Sequence, residues 1–209
     1  MKIGIIGSGN VGGALGTRWA RAGHSVVFGS RKPESDEMKQ LVAKAGATAR
    51  AAVFADAVRA SEVLLLAMPW EATKDVVTGL DLTGKVLIDA TNPVLPNLAG
   101  LAYGTTSSGG EQVAGWTRGA RVVKCFNTVG NNVMENQDFG ADRPVMFYCG
   151  DDAGANQVAK ELASGMEFEA VDAGPLAQAR LLEPFALLWI SLALVQGLGR
   201  EMAFKLLRR

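Results

Sequence analysis

The sequence is poor in side chains that do chemistry by themselves. It holds one histidine, His24, in a "RAGHS" turn ahead of an apolar strand, where a surface role is expected. No H-E-x-x-H, no carboxylate cluster at metal-ligand spacing and no G-x-S-x-G occurs, which removes zinc hydrolysis and serine-nucleophile chemistry. Alcohol oxidation usually needs a group that takes the hydroxyl proton, and none presents itself. The two cysteines, Cys125 and Cys149, lie in separate apolar runs without a C-x-x-C, so reduced, packed thiols in a cytoplasmic protein are expected.

Excess charge is missing too. In 209 residues, 21 acidic side chains balance 21 basic ones, which argues against nucleic acid or an anionic membrane as the main partner. Met1 leads directly into "KIGII", without the basic segment, apolar run and cleavage site of a signal peptide. The longest apolar run, Phe185 to Val195, falls well short of the roughly 18 residues that suggest a membrane span, so a buried helix is expected there.

What is present is alternation. "KIGIIG", "SVVFGS", "EVLLLAMP", "KVLIDATN", "RVVKCFNT", "PVMFYCG" and "EFEAVDAG" are short apolar runs, and helical patterns separate several of them, including one over Glu34 to Ala45. This predicts an α/β fold, a Rossmann-type doubly wound and mostly parallel sheet with helices on both faces. Ser108, followed three residues later by Glu111, predicts a capping box opening a short helix. After "DAGPL" the pattern becomes one helical tract from about Ala177 to Leu207, interrupted by Pro184, Gly197 and Gly199. The expected division is a nucleotide-binding domain over residues 1–150 and, over 151–209, an α/β extension with a small C-terminal helical lobe packed on the same body.

The first turn reads "GIIGSGNVGG", a G-x-G-x-x-G of Gly7, Gly9 and Gly12 after a strand and at the opening of a helix. Gly7 permits the tight turn, Gly9 lets backbone approach a pyrophosphate, and Gly12 allows close packing of helix on strand. The helix N-terminus offers free N–H groups and a positive dipole end, with Ser8, Asn10 and Val11 lining the cradle.

About 20 residues on, at the tip of the second strand, an acidic residue would accept hydrogen bonds from a free ribose 2′-hydroxyl and select NAD. Here the strand ends in Ser30, Arg31 and Lys32. A serine hydroxyl can donate to a 2′-phosphate, arginine can bracket it with its planar fork, and lysine adds a mobile charge. The site therefore reads as one for NADP(H). Further strand tips, with Met68 and Pro69, with Asn92, Pro93 and Val94, and with Asn127 and Thr128, suit the wall of a crevice, where polar groups can meet a carboxamide or ring edge. Trp70 is expected to pack. Hydride transfer between two flat redox rings needs no protein base, because the cofactors carry the chemistry and the protein holds the rings together.

At this point the chain resembles the NADPH-dependent deazaflavin reductases, the 8-hydroxy-5-deazaflavin:NADPH oxidoreductases, and the related cytosolic domain of STEAP-type metalloreductases. The likeness rests on "GSGNVG", "GSRK", "MPWE", "VVKCFNT", "CGDD" and "DAGPL". The resemblance implies the pyrophosphate on Ser8 to Val11, the 2′-phosphate on Ser30 and Arg31, and the nicotinamide near Met68, Asn92 to Val94, Gly130 and Asn131. It implies a second ligand, FMN, FAD or 8-hydroxy-5-deazaflavin, between that wall and the C-terminal helix, with Gly174, Leu176, Gly197 and Gly199 as candidate floor. Asn127 stands where archaeal deazaflavin enzymes tend to carry histidine. The expectation is an NADP-dependent oxidoreductase passing hydride to or from a flavin-like ring, with no catalytic side chain and no metal. A homodimer through the C-terminal helix is expected, since Leu187, Leu188, Ile190, Leu194 and Leu198 carry more apolar surface than a lone helix needs. A non-catalytic NADP(H) sensor or partner subunit, and an imino-acid reductase-like enzyme, are the alternatives.

Overall fold

The computed structural model describes all 209 residues. Eight strands form one sheet in the order β3-β2-β1-β4-β5-β6-β7-β8. β1 (Lys2–Ile6), β2 (Ser25–Gly29), β3 (Ala49–Ala52), β4 (Val63–Leu66), β5 (Val86–Asp89) and β6 (Arg121–Cys125) are parallel; β7 (Val145–Gly150) runs antiparallel to β6, and β8 (Glu169–Asp172) parallel to β7. The order reverses between β1 and β4. In open sheets of this kind, ligands sit outside the carboxyl ends of the strands at such a switch point.

The central strands are buried on both faces, which is why "VLLL" of β4 reads as a continuous apolar run. Successive side chains still go to opposite sides. Ile3, Ile5, Val63, Leu65, Val86, Ile88, Val123 and Cys125 join the larger core with residues of α1 (Asn10–Arg21), α6 (Asn131–Glu135) and α7 (Ala153–Ser164). Ile6, Leu64, Leu66, Leu87 and Val122 join the smaller core with residues of α3 (Phe54–Arg59), α4 (Trp70–Thr78) and α5 (Gly109–Trp116). Asp89 and Lys124 follow the same alternation and point to this second side.

Helix signals hold at the caps. α2 spans Asp36–Ala45, two residues shorter at its start than expected, because Ser35 takes the N-cap and accepts from the Met38 N–H. At α5, Ser108 accepts from the Glu111 N–H and donates its hydroxyl to the Glu111 carboxylate at 2.8 Å.

The C-terminal tract corrects two expectations. α8 spans Ala179–Ile190, preceded by a 3₁₀ turn at Leu176–Gln178 and continued by a π turn at Ser191–Val195. It runs through Pro184, which denies the Arg180 carbonyl an intrahelical partner without ending the helix. Gly197 and Gly199, at φ +75° and +80°, end it instead. The residues beyond are not helical: Phe204 O accepts from Val145 N at 2.8 Å, and the Phe204 ring packs on Phe185 with centroids 4.5 Å apart. The second correction concerns length. Leu176–Val195 is one continuous helix of 20 residues with mean hydropathy 1.4, long and apolar enough by those measures to cross a membrane. Its two charges, Arg180 and Glu183, are bonded to α5. Only 33% of its apolar stretch is buried, so the helix expected to be buried covers one face and leaves Leu181, Leu188, Leu194 and Val195 exposed.

Both cysteines are free and buried. Burial pushes the Cys149 thiol up to about 12, against the pull of nearby Lys124, and raises Cys125 as well. Raised folded values mean stability present below the ordinary thiol value of 9.0 and lost as pH rises from there towards about 12. At pH 8 the native protein is expected to release no thionitrobenzoate from Ellman's reagent, then two equivalents on unfolding in guanidinium; a titratable thiol in the native state would contradict this burial.

Candidate functional site

The phosphate loop is shaped by exclusion. Gly7 has φ +102°, and a Cβ there would collide with the Ala67 carbonyl; a Cβ on Gly12 would collide with the Gly7 carbonyl. At Gly9 nothing lies within 4 Å of an added Cβ, so the open side of the turn faces free space. α1 begins after Gly9 without a side-chain cap and without an acidic residue in its first turn. Its leading N–H groups and positive dipole end are thus left for an anion, and a dinucleotide pyrophosphate fits them.

A groove of about 740 Å³ opens there, and the structure brings Ser8, Gly9 and Asn10 together with Ser30, Arg31 and Lys32 along it. Ser30 Oγ accepts from the Lys32 backbone N–H at 3.0 Å, leaving the hydroxyl hydrogen free to donate outward. Arg31 and Lys32 are exposed, and neither is committed to a carboxylate of the chain. Ser35, Met38, Lys44, Glu37 and Glu135 also line the groove and were not anticipated. Lys44 and Glu135 face each other across α1 at 3.6 Å. Ser35 was legible as a helix cap, but nothing in sequence spacing brings α6 to the groove.

The residues expected to wall the nicotinamide lie outside this groove, at the carboxyl ends of β4, β5 and β6. The expected floor is not assembled: β7 and β8 run opposite to β6, so Gly174 lies at the far end of the sheet, Leu176 is buried in the smaller core, and Gly197 and Gly199 follow the other end of the C-terminal helix. Met68 and Pro69 follow β4, with Pro69 at the N-cap of α4. Asn92 Nδ2 donates to Asn127 O at 2.9 Å, and Asn127 Nδ2 donates to Asn92 Oδ1 at 3.1 Å and to Leu182 O at 3.2 Å. Between β6 and Asn127 the backbone turns through Phe126 at φ +62°, a left-handed conformation that costs a bulky residue on the order of 1–3 kcal/mol; the ring is fully buried, edge-on to Trp19. Thr128 is 1% exposed with its hydroxyl towards Met146, so it offers a ligand only backbone. Gly130 lies under Trp189, where a Cβ would be 2.6 Å from the indole ring. Asn131 accepts from Arg200, and Asn132 donates to the Arg200 carbonyl at 2.7 Å, so α6 holds the C-terminal tail. Trp70 packs between Trp116 and Tyr103. His24 lies at the start of β2, the opposite end from the crevice, with Nδ1 3.1 Å from the N-terminal amine; burial first, then that amine, lowers its pKa.

Beneath this rim is a cluster of charges that periodicity did not reveal. Lys124 and Asp89 are wholly buried and Glu183 is 1% exposed. Lys124 Nζ donates to Asp89 Oδ2 at 2.9 Å and to Thr91 O at 2.7 Å, and meets Glu183 Oε1 at 2.8 Å. Asp89 Oδ1 accepts from the Thr91 N–H and hydroxyl. The Glu183 carboxylate accepts from the N–H groups of Gly109 and Gly110, at the start of α5. Burial alone would lower the Lys124 pKa; the two carboxylates outweigh it and raise it. The only sequence sign was a charge inside each of two apolar strands.

Fold and groove together define a Rossmann-type dinucleotide-binding protein. Residues 2–93 match the family model described as "NADP oxidoreductase coenzyme F420-dependent". The F420-dependent NADP reductase of Methanothermobacter thermautotrophicus is 30% identical over 210 aligned residues, covering 92% of this chain and 89% of that protein. The rat metalloreductase STEAP3 is 32% identical over 187 residues, 89% of this chain, but the chain spans only 36% of its length. A crystal structure described as a candidate F420-dependent NADP-reductase from Arthrobacter sp. FB24 superimposes with a TM-score of 0.86 at 29% identity, covering 100% of both chains. The chain belongs to the F420-dependent NADP reductase family and is an NADP-dependent oxidoreductase.

Proposed function

We propose that this protein transfers hydride between NADP(H) and a deazaflavin or flavin ring. The observation that carries the donor half is the groove at the tip of β2, where Ser30, Arg31 and Lys32 stand free in place of an acidic residue. Bound NADPH supplies the hydride. The chain holds it: Ser8 to Val11 take the pyrophosphate, Ser30 and Arg31 with Lys32 take the 2′-phosphate, and Met68 to Pro69, Asn92 to Val94, Asn127 to Thr128 and Gly130 to Asn131 wall the nicotinamide. The acceptor ring lies between that wall and α8; the four residues first expected as its floor do not meet, because Gly174 and Leu176 stand at one end of the 20-residue helix and Gly197 and Gly199 at the other, about 30 Å away. In this reading residues 1–150 bind the donor and residues 151–209 complete the acceptor side. The printed name of the methanogen relative supports the deazaflavin coenzyme F420 as acceptor.

NADPH oxidation followed with F420, FMN, FAD and riboflavin in turn tests this. Consumption with at least one ring, fastest with the deazaflavin, is expected. Tight NADPH binding without consumption in any mixture would instead make the protein an NADP(H) sensor.

The two buried free thiols support a cytoplasmic location. We also infer a homodimer through the C-terminal helix, because Leu181, Leu188, Leu194, Val195 and Leu198 are 49–65% exposed along it and just beyond its end. Multi-angle light scattering at micromolar concentration is expected to give twice the chain mass, and the Leu188→Glu variant the chain mass. A wild-type monomer would dismiss the dimer.

A further inference from the structure

The buried ion cluster does more than stability asks. A buried ion pair is commonly matched in stability by a well-packed apolar set of the same volume, so three sealed charges at the edge of the crevice point to something an apolar set does not give. Directionality is that property: hydrogen bonds to charged groups fix angles and register, whereas apolar contacts slide. The cluster joins four segments. Lys124 on β6 takes the Thr91 carbonyl, immediately before the Asn92–Val94 turn, and Asp89 at the end of β5 holds Thr91 by both its N–H and its hydroxyl. Glu183 on α8 takes Lys124 and the first two N–H groups of α5. The surplus negative charge is met by that helix N-terminus.

A second, uncharged link runs beside it, from Asn92 through Asn127 to Leu182 O. Leu182 and Glu183 are successive residues, so α8 is tied to the rim at two adjacent points. Packing closes the frame: a Cβ on Gly109 would lie 3.0 Å from Glu183 Oε1 and 3.1 Å from Pro93 Cγ.

We propose that Lys124 is a positioning residue for hydride transfer: through Thr91 and Glu183 it fixes the spacing between the Asn92–Val94 turn and α8, and so the gap in which the donor ring meets its acceptor. This rests on the placement of the nicotinamide at that rim proposed above. Glu183→Gln keeps the side-chain shape and leaves Lys124 and Asp89 as a balanced pair, so it is expected to fold. The Asp89→Asn/Lys124→Met/Glu183→Gln triple variant removes all three charges together and serves if the single variant does not fold.

Two measurements on each variant decide the matter. First, the fragment 2′-phospho-ADP-ribose, which lacks the nicotinamide, is expected to bind within about twofold of wild type, while the extra affinity that intact NADPH shows over the fragment, and the fluorescence of bound NADPH, are lost. Second, kcat for NADPH oxidation is expected to fall about 30-fold or more, as misplacement on the order of an ångström does, with KM for NADPH rising no further than the lost nicotinamide affinity and a larger isotope effect from NADPH deuterated at C4. Parallel loss of fragment and NADPH affinity, or kcat within about threefold of wild type, would overturn the proposal. If wild-type protein transfers hydride to no ring, the acceptor reading fails and the fragment comparison still judges Lys124.

Discussion

Lys124→Met is expected to lower the unfolding free energy by about 3–5 kcal/mol, the usual cost of breaking a buried pair by deleting one partner. In a chain of this length that shifts the melting temperature by on the order of 10 °C. The reason lies in what remains: Asp89 and Glu183, both fully enclosed, would face each other across the space left by the ammonium with no cation between them. Asp89 keeps its Thr91 donors and Glu183 its glycine N–H groups, which limits the loss but neutralises neither charge. Guanidinium unfolding followed by circular dichroism measures the change. Adding Asp89→Asn and Glu183→Gln to the same variant is expected to recover part of it, because no unpaired charge is then buried, while the new amide N–H groups, which face donors or an apolar chain, keep the recovery incomplete. A single-variant loss under about 1 kcal/mol, inside the scatter of ordinary surface substitutions, would mean the carboxylates find another cation.

The same cluster shows where sequence reading stops. Strands buried on both faces announce themselves as apolar runs, and β1, β2 and β4 to β7 were legible that way; the edge strand β8, with no buried residue, was legible from "EFEAVDAG" all the same, as were the glycine loop and the Ser108 cap. β3 was not, because its residues "ARAA" include no β-branched or aromatic side chain and only Ala52 is buried. The C-terminal tail was mistaken for helix because its apolar residues recur at helical spacing; two glycines with positive φ end the helix, and the tail's hydrogen bonds go to β7 and α6 instead. Lys124 and Glu183 are separated by 59 positions in the sequence and meet only because β6 and α8 share one side of the sheet. Periodicity places each on a face without saying that the faces meet. The placement of Ser30 and Arg31 along the groove was easier, since it depends on distance along the chain from the phosphate loop, which the βαβ unit fixes.

Arg31→Ala is expected to weaken NADPH binding by about 10- to 100-fold, the equivalent of one charge-assisted hydrogen bond at roughly 1.5–3 kcal/mol, and NADH binding by less than about threefold. The asymmetry follows from geometry. Arg31 has no carboxylate of its own and lines the groove, so its removal disturbs nothing in the unliganded fold, and under the proposed function it deletes a partner of the 2′-phosphate alone. Lys32 is a point charge on a mobile stem and is expected to matter less. Ser30 is placed differently: its oxygen already accepts the Lys32 N–H, so its one proton is the group it can offer outward. Replacing Ser30 by Asp in the Arg31→Ala background keeps that acceptor and adds a charge that repels a phosphate but suits a free ribose hydroxyl. The double variant is expected to prefer NADH, a swing of at least about 100-fold in the ratio of the two dissociation constants, since it adds the loss of one charge-assisted bond to a like-charge contact. Fluorescence titration with each cofactor at fixed ionic strength measures it, because a surface phosphate contact weakens with salt. Equal losses for NADPH and NADH in the single variant would show that the 2′-phosphate is not held at the tip of β2, and the donor assignment would fall with it.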